Sequence, residues 1–308
     1  MKILVGGSSG LVGSALLPHL ASQGHQTVRL VRGRPARGDD EVEWDPDAGA
    51  IDAARLRGLD AVVNLAGATI ARWPWTEAHK RRVLESRVRS TALLSRAIAE
   101  LKPAPRVLVS VSAVGFYGDR GDEILRETSP PGHDFLAAVC VAWEAAAAPA
   151  RTAGIRVVTP RIGMVLSGAG GALGALLIPF RLGLGGVIGS GRQYMSWIAL
   201  EDLTRVIAHA IAREDWSGPV NAVSPAPSTN AEFTKALGRV LHRPTLLPLP
   251  AFAARLLLGE MADALLLSSA RADPARLLAS GFEFRFPTLE GALRNAVGAA
   301  PLPGARHE

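Results

Sequence analysis

The stretch KILVGGSSGLVG, residues 2–13, decides the fold of this chain, because an apolar run leads into glycines at every third position. The pattern predicts a short strand, a tight turn and an amphipathic helix, the context that a dinucleotide fingerprint requires. Gly7 allows the turn, Gly10 lets the backbone approach a pyrophosphate, and Gly13 lets the helix pack on the strand. The helix N-terminus then offers N–H groups to phosphates. A glycine-rich turn without a ligand is the alternative interpretation.

Length and composition limit the class of protein. The 308 residues, 48% hydrophobic and 20% charged, are enough for one large α/β domain or one domain with an appended lobe. Cys140 is the only cysteine, which excludes an internal disulfide and fits a reducing compartment. There is no secretory signal and no apolar run of about 18 residues, so we expect a cytoplasmic protein with no membrane partner.

Charge and histidine spacing bear on other ligands. The net charge is +6, but the arginines are scattered and form no compact basic run with interleaved aromatics. We therefore expect no nucleic-acid partner. The seven histidines show no spacing typical of a metal site, so we expect no metal. A small-molecule substrate is the expected partner.

The residue after the second predicted strand, 27–31, bears on the choice of dinucleotide. In folds that prefer NAD(H), an acidic residue commonly ends this strand and binds the ribose hydroxyls. Here Arg32 stands at that position, followed by Arg34 and Arg37. A guanidinium suits a ribose 2′-phosphate, so the sequence favours NADP(H). A solvated basic loop is the alternative.

Strands and helices are predicted to alternate along the first part of the chain. Apolar segments at 60–65, 106–111 and 155–159 predict strands, and the periodicity at 76–101 and about 133–150 predicts helices. This alternation is typical of an α/β fold, a Rossmann-type doubly wound parallel sheet. The remainder predicts a smaller, mostly helical C-terminal lobe.

The same pattern divides the chain. Residues 1–165, with about 200–225, are predicted to form an NADP-binding Rossmann domain. Residues 166–199 and 226–297 are predicted to form the substrate-binding C-terminal lobe, which includes a short strand at 282–286. Residues 298–308 are predicted to be a tail.

Further motifs accompany the glycine fingerprint. They lie at 60–68, 86–88 with Thr91, 112–119, 134–144, 189–193, 196–198 and 257–263. In combination they resemble the extended short-chain dehydrogenase/reductase superfamily, and within it the atypical NAD(P)-binding epimerase family proteins with a C-terminal helical domain. The resemblance covers nearly the whole chain.

The resemblance implies that NADP(H) lies from the glycine turn across residues 65–67 to Ser112. Arg32 would take the 2′-phosphate, and Arg87 falls where many extended members have an asparagine. The resemblance also implies a homodimer, with helices 76–101 and 133–150 at the interface. The residues expected against the cofactor are Gly7, Ser8, Ser9, Gly10, Leu11, Val12, Arg32, Leu65, Ala66, Gly67, Arg87, Val111, Cys140, Arg161 and Ile162.

The chain departs from the superfamily at its catalytic pair. The hallmark is Tyr-x-x-x-Lys on one helix, in which the tyrosine transfers the substrate proton and the lysine lowers the pKa of the tyrosine. Here that register holds Cys140 and Glu144. A carboxylate raises a neighbouring pKa, so the usual proton relay is absent. In addition, Met195 stands where nucleotide-sugar enzymes of this type carry an arginine for the diphosphate.

Two residues remain as catalytic candidates. Ser112 stands at the superfamily's serine position, which hydrogen-bonds a substrate carbonyl or hydroxyl. Tyr117 is the nearby phenol able to act as a general acid, and a structural tyrosine that fixes its loop is the alternative. Two functions remain open: an NADP(H)-dependent oxidoreductase or isomerase acting on a small substrate, or an NADP(H)-binding sensor or structural protein without turnover.

Overall fold

The computed structural model describes residues 1–298, so the predicted tail at 298–308 lies outside the described residues except for Gly298. The strands are β1 (Lys2–Gly6), β2 (Gln26–Val31), β3 (Glu41–Asp45), β4 (Ala50–Ile51), β5 (Ala61–Asn64), β6 (Val107–Ser110), β7 (Ser112–Ala113), β8 (Ile124–Leu125), β9 (Arg156–Ile162), β10 (Met164–Leu166), β11 (Tyr194–Met195), β12 (Trp197–Ala199), β13 (Gly218–Ala222), β14 (Ser228–Thr229) and β15 (Arg271–Ala272). The helices are α1 (Leu11–Ser22), α2 (Glu77–Ala99), α3 (Phe135–Ala145), α4 (Ala148–Thr152), α5 (Gly171–Arg181), α6 (Leu200–Ala212), α7 (Asn230–Leu241), α8 (Ala251–Leu258), α9 (Glu260–Ala262), α10 (Ala275–Ala279) and α11 (Leu289–Val297).

One twisted sheet carries the fold. Its strands follow the order β13–β9–β6–β5–β1–β2–β3–β4, with β7 beside β9. Every pair is parallel except β3 with β4. The strand order reverses between β1 and β5, and α/β folds bind ligands in the crevice at such a reversal. The predicted fold class, a doubly wound Rossmann-type sheet with a helical C-terminal lobe, is confirmed.

The central strands are buried on both faces. Ile3, Val63 and Val109 point to the side covered by α1 and α6. Their neighbours Leu4 and Val62 point to the opposite side, which α2 and α4 cover. Side chains alternate between faces along a strand, so two covered faces require a nearly continuous apolar run. This requirement explains why the strands could be predicted from sequence.

The C-terminal lobe has an apolar core of its own. Trp197, Phe233 and Leu293 are buried among α5, α7, α11 and the β10–β12 pair. A capping box begins α7: the Thr229 hydroxyl accepts a hydrogen bond from the Glu232 N–H, and the Glu232 carboxylate accepts one from the Thr229 N–H. This cap fixes where the main helix of the lobe begins.

The predicted strand at 282–286 is wrong. Asp202, fully buried in the first turn of α6, accepts hydrogen bonds from the backbone N–H groups of Arg285 (2.8 Å) and Phe286 (2.9 Å). A side chain therefore takes the donors that a neighbouring strand would have used. The segment is a loop fastened to α6, with the Phe282 ring packed edge to face on His209.

The predicted helix at 133–150 is two helices, α3 and α4. Pro149 lies in the first turn of α4, where its missing N–H is tolerated, but a proline there cannot continue the preceding helix. The Ser95 hydroxyl accepts a hydrogen bond from the Ala150 N–H (2.8 Å), which fixes α4 against α2.

We expect Gly13→Ala to lower the free energy of unfolding by about 1–3 kcal/mol. A Cβ at this position would overlap the Gly7 carbonyl oxygen and lie 2.7 Å from the Ser8 Cα, so α1 would move away from the turn that follows β1. Gly174→Ala is the matched control, because a Cβ added at Gly174 in α5 meets no atom within 4 Å. Urea unfolding measures both variants. Equal stability of the two variants would contradict the close contact between α1 and the turn that follows β1.

Candidate cofactor-binding and active site

The turn after β1 can only be formed by glycine. Gly7 has a φ of +75°, and a Cβ added there would lie 2.7 Å from the carbonyl carbon of Leu65. Gly10 is exposed, and the nearest atom to its added Cβ is the Gly7 carbonyl oxygen at 3.4 Å. The turn therefore closes against the end of β5 and leaves its outer side open for a ligand.

The first turn of α1 offers backbone N–H groups to that open side. No side chain caps the helix at Gly10, so the N–H groups of Leu11 and Val12 have no partner within the helix or from its cap. Ser8 is buried and Ser9 is exposed on the same turn. A free helix N-terminus of this kind favours an anion such as a phosphate.

The basic segment after β2 begins with Arg32, whose side chain has no bonding partner among the described residues. The Arg34 guanidinium makes two hydrogen bonds to Glu41 (2.6 and 2.7 Å), and this pairing holds the pKa of Glu41 at about 2. The Arg37 N–H and the Arg29 side chain also bond to Glu41. Arg32 is exposed and makes no hydrogen bond or ion pair within residues 1–298. Its charge is available to a ligand.

The end of β5 is held by a buried asparagine. The Asn64 side chain accepts from the Ala66 N–H (3.2 Å) and donates to the Thr91 hydroxyl (2.9 Å). These bonds fix the turn that follows, in which Leu65 is half-buried and Gly67 is exposed. The backbone of this turn therefore borders the crevice opposite the glycine turn.

Arg87 reaches the same turn from α2. Its Nη1 donates to the Ala68 carbonyl (2.9 Å) and the Val83 carbonyl (3.0 Å), and its Cζ lies 5.0 Å from the Trp143 ring centroid. A Cβ added at Gly67 would be 3.1 Å from that Cζ. Burial lowers the pKa of Arg87, and no carboxylate among the described residues pairs with it. The guanidinium therefore fits a negatively polarised group in the crevice.

Ser112 follows β6 and is buried with its hydroxyl unused. The residue is 2% exposed, next to buried Val111, and its Oγ has no hydrogen-bond partner among the described residues. Cys140 of α3 lies on the same side, with its Sγ 3.8 Å from the Ala113 carbonyl oxygen. Burial raises the pKa of Cys140 to about 11 against the opposite effect of the neighbouring Ser112 hydroxyl, so Cys140 is a thiol at neutral pH. A buried hydroxyl without a partner is costly unless a ligand supplies one.

An arginine-centred network lies behind Ser112, and β7 and β9 pair Ser112 with Arg161 in register. Arg161 donates from Nε and Nη2 to the two Glu144 carboxylate oxygens (2.9 and 3.0 Å). Its Nη1 donates to the Tyr117 hydroxyl (3.0 Å) and to the Glu127 carbonyl (3.2 Å). Its Cζ lies 3.4 Å from the Phe116 ring centroid. The guanidinium is therefore occupied on its edges and on one face.

Tyr117 is a member of this network. It is fully buried, and its hydroxyl donates to the Asn221 side-chain oxygen (2.7 Å) while it accepts from Arg161. Burial raises the pKa of its phenol. The Tyr117 hydroxyl already donates one hydrogen bond and accepts another. This geometry fits a structural tyrosine that fixes its loop, and not a general acid.

The same geometry corrects the expectation for the Arg161 side chain at the cofactor. The guanidinium of Arg161 makes four hydrogen bonds inside the network, so it is not directed at the crevice. Ile162 is half-buried on the apolar core beneath α1 and α6, as Val12 and Leu65 are, so its contact with the cofactor stays a prediction. The other expected residues lie at the ends of β1, β2, β5 and β6, at the start of α1, or on α2 and α3.

Two residues that hold this region, Glu127 and Asn221, lie outside the sequence motifs. A third, Asn64, lies within the motif at 60–68, which assigns it no role of its own. The Asn221 side chain donates to the carbonyls of Leu125 and Asp273 (both 3.0 Å), and the Glu127 carboxylate accepts from the Asn221 N–H (2.9 Å). Both asparagines interrupt apolar strands, and a polar residue in such a strand indicates a buried hydrogen-bonding centre.

The described part of the chain has neither a candidate metal cluster nor a helix that could span a membrane. No three His, Cys, Asp or Glu side chains within residues 1–298 are grouped so that they could hold a metal ion. No helix in that part of the chain is long and apolar enough to cross a membrane.

The crevice lies where the strand order reverses. Its floor is the turn after β1, which requires glycine. These features define a dinucleotide-binding protein of the short-chain dehydrogenase/reductase type. Comparison with known families agrees: the model of the NAD-dependent epimerase/dehydratase family matches residues 3–222, and a domain of unknown function, DUF1731, matches residues 249–296. The chain belongs to the NAD-dependent epimerase/dehydratase family, as the resemblance predicted.

Relatives match over nearly the whole length. An epimerase family protein of Mycobacterium bovis is 47% identical over 291 residues, which cover 94% of this chain and 96% of that protein. The human epimerase family protein SDR39U1 is 39% identical over 302 residues, covering 96% of this chain and all of the human protein. A crystal structure of human SDR39U1 (isoform 2) with NADPH superposes with a TM-score of 0.87 at 36% identity, covering 97% and 99% of the two chains.

Proposed function

We propose that this protein is an NADP(H)-dependent oxidoreductase or isomerase that acts on a small substrate bearing a carbonyl or hydroxyl group. The cofactor assignment is supported by the human relative, which was solved with NADPH, and by the free arginine at the end of β2. The observation that carries the catalytic part is the buried, unpartnered hydroxyl of Ser112.

The described residues fit NADP(H). The glycine turn leaves space that a Cβ at Gly10 would enter, and the α1 N-terminus suits the diphosphate. Arg32 would hold the 2′-phosphate, while Gly67 and Arg87 would border the nicotinamide half. When bound, the cofactor supplies or accepts a hydride.

Ser112 would hold the reacting oxygen of the substrate. Its hydroxyl lies beyond the end of β6, on the side of the crevice away from Arg32, and it has no other partner among the described residues. A hydrogen bond from Oγ to a carbonyl oxygen stabilises the negative charge that develops there during hydride transfer.

The proton at that oxygen would come from water. The Tyr117 hydroxyl is hydrogen-bonded to Asn221 and Arg161. Glu144, at the helix position that usually holds the lysine of the proton relay, is paired with Arg161. The Cys140 thiol stays protonated at neutral pH and makes a weak contact to a backbone carbonyl. Because these contacts occupy the nearby side chains, water that enters the crevice would donate the proton.

A second function is an NADP(H)-binding sensor or structural protein without turnover. The observation that favours it is the pairing of Glu144 with Arg161, because this pair stands where a catalytic lysine would be needed. Ser112 would then serve only to hydrogen-bond the bound cofactor.

We expect Arg32→Ala to weaken NADPH binding about tenfold or more and to change NADH binding less than twofold, since only NADPH carries the 2′-phosphate. Arg82→Ala, at an exposed position of α2, is the control and should leave both affinities unchanged. Fluorescence titration measures the dissociation constants. An equal loss for NADPH and NADH would contradict the 2′-phosphate role.

We expect Ser112→Ala to lower kcat about 100-fold and to leave the dissociation constant of NADPH within a few-fold of the original value. NADPH oxidation is followed against a panel of small carbonyl and enone compounds. Thr159→Val is a matched control, because Thr159, inside β9, has a hydroxyl that is also unpartnered among the described residues and is 2% exposed as Ser112 is. Tight NADPH retention without turnover of any compound would support the sensor. Full activity of Ser112→Ala would contradict the proposed role.

A further inference from the structure

Large apolar side chains are exposed unevenly over the molecule. Of thirteen such side chains among residues 1–298, eight lie within 178–184 and 246–257 of the C-terminal lobe. Two of them, Leu246 and Leu256, are 81% and 85% exposed. Single exposed apolar residues are ordinary, but a concentration of this kind marks an interaction surface.

The exposed residues lie on segments that are neighbours in the structure. The segments 181–189 and 243–249 run side by side, since the Leu249 N–H donates to the Val187 carbonyl (2.9 Å) and the Gly189 N–H donates to the Leu249 carbonyl (2.9 Å). Helix α8 follows directly, and its exposed Phe252 and Leu256 lie about one turn apart. The leucine face, as we call it, consists of Leu182, Leu184, Leu246, Leu247, Phe252 and Leu256.

The leucine face has a positively charged border. Arg243 donates to the Arg181 carbonyl (2.9 Å), which brings both arginines to the contact between the two segments. Lys235, His242 and Arg243 line one open groove together with Pro244, which is two residues before Leu246. Arg181, Lys235 and Arg243 are exposed and form no ion pair within the described residues. The border therefore has an uncompensated positive charge.

The positive charge of this border indicates which kind of partner the leucine face would bind. A symmetric contact between two copies of the face would offer these cations no carboxylate, because neither the leucine face nor Arg181, Lys235, His242, Arg243 and Pro244 of its border includes one. A helical protein segment would need an apolar groove, whereas Leu246 and Leu256 project into solvent. Projecting apolar side chains among cations suit a surface with an apolar interior and anionic headgroups.

We propose that the leucine face docks this protein on an anionic membrane surface. The apolar side chains would enter the boundary between headgroups and acyl chains, and Arg181, Lys235 and Arg243 would contact the headgroups. The expectation of no membrane partner came from the lack of a spanning segment, and peripheral docking needs none. The proposal uses none of the residues to which the proposed function gives a role at the cofactor or in catalysis.

The experiment is co-sedimentation of the full chain with vesicles of phosphatidylcholine alone, or of equal parts phosphatidylcholine and phosphatidylglycerol. We expect binding to the anionic vesicles, and about tenfold weaker binding for Leu246→Glu because one leucine no longer enters the lipid. Leu278→Glu, at an exposed leucine of α10, is the matched apolar control and should bind as the original chain does.

A second pair of variants tests the charge. Lys235→Glu should weaken binding to anionic vesicles several-fold, while Arg82→Glu on α2 should not. Urea unfolding verifies that all four variants fold, which their exposure predicts. Absence of binding to anionic vesicles, equal binding to neutral ones, or no effect of Leu246→Glu would overturn the proposal. A dimer in sedimentation velocity that Leu246→Glu dissociates, without vesicle binding, would assign the face to a second copy and also overturn it.

Discussion

The buried ion pair between Arg161 and Glu144 is the interaction on which the candidate site depends. It joins β9 to α3, and through the Tyr117 hydroxyl it extends to Asn221 on β13. A buried arginine is tolerated only when its charge and its donors are satisfied, and losing its partner typically costs about 3–5 kcal/mol. The segment that follows β6 is thus fixed between the sheet and α3, with the Ser112 hydroxyl left unused at its start.

In this arrangement, the residues that suit a dinucleotide are different from those at the helix positions that usually transfer the proton. The glycine turn, the α1 N-terminus and the exposed Arg32 provide contacts that suit a dinucleotide, and none of them depends on the helix register of Cys140 and Glu144. That register supplies no titrating relay: Glu144 neutralises Arg161, and burial holds the pKa of Cys140 near 11. Under the proposed function, chemistry in the crevice would rely on a neutral hydroxyl, on water and on the cofactor.

Local sequence patterns predicted the strands and the glycine turn. Hydrogen bonds between residues far apart in the sequence determined the features that could not be predicted. The strands and Gly7, Gly10 and Gly13 could be read from sequence because burial on two faces and close backbone contact restrict which residues fit. The partner of Tyr117 could not, because Arg161 is 44 residues away and no spacing rule relates the two. The loop at 282–286 was mistaken for a strand for the same reason, since distant Asp202 takes its donors.

Urea unfolding of Glu144→Lys, together with its dissociation constant for NADPH, tests the central claim most directly. This substitution returns the superfamily's residue type to its register. If the pair with Arg161 is structural, the variant loses about 3 kcal/mol or more of unfolding free energy, because two cations face each other in a largely buried site. Glu85→Lys, at a half-exposed position on α2, controls for the change of charge. Unchanged stability with tighter NADPH binding would contradict the account.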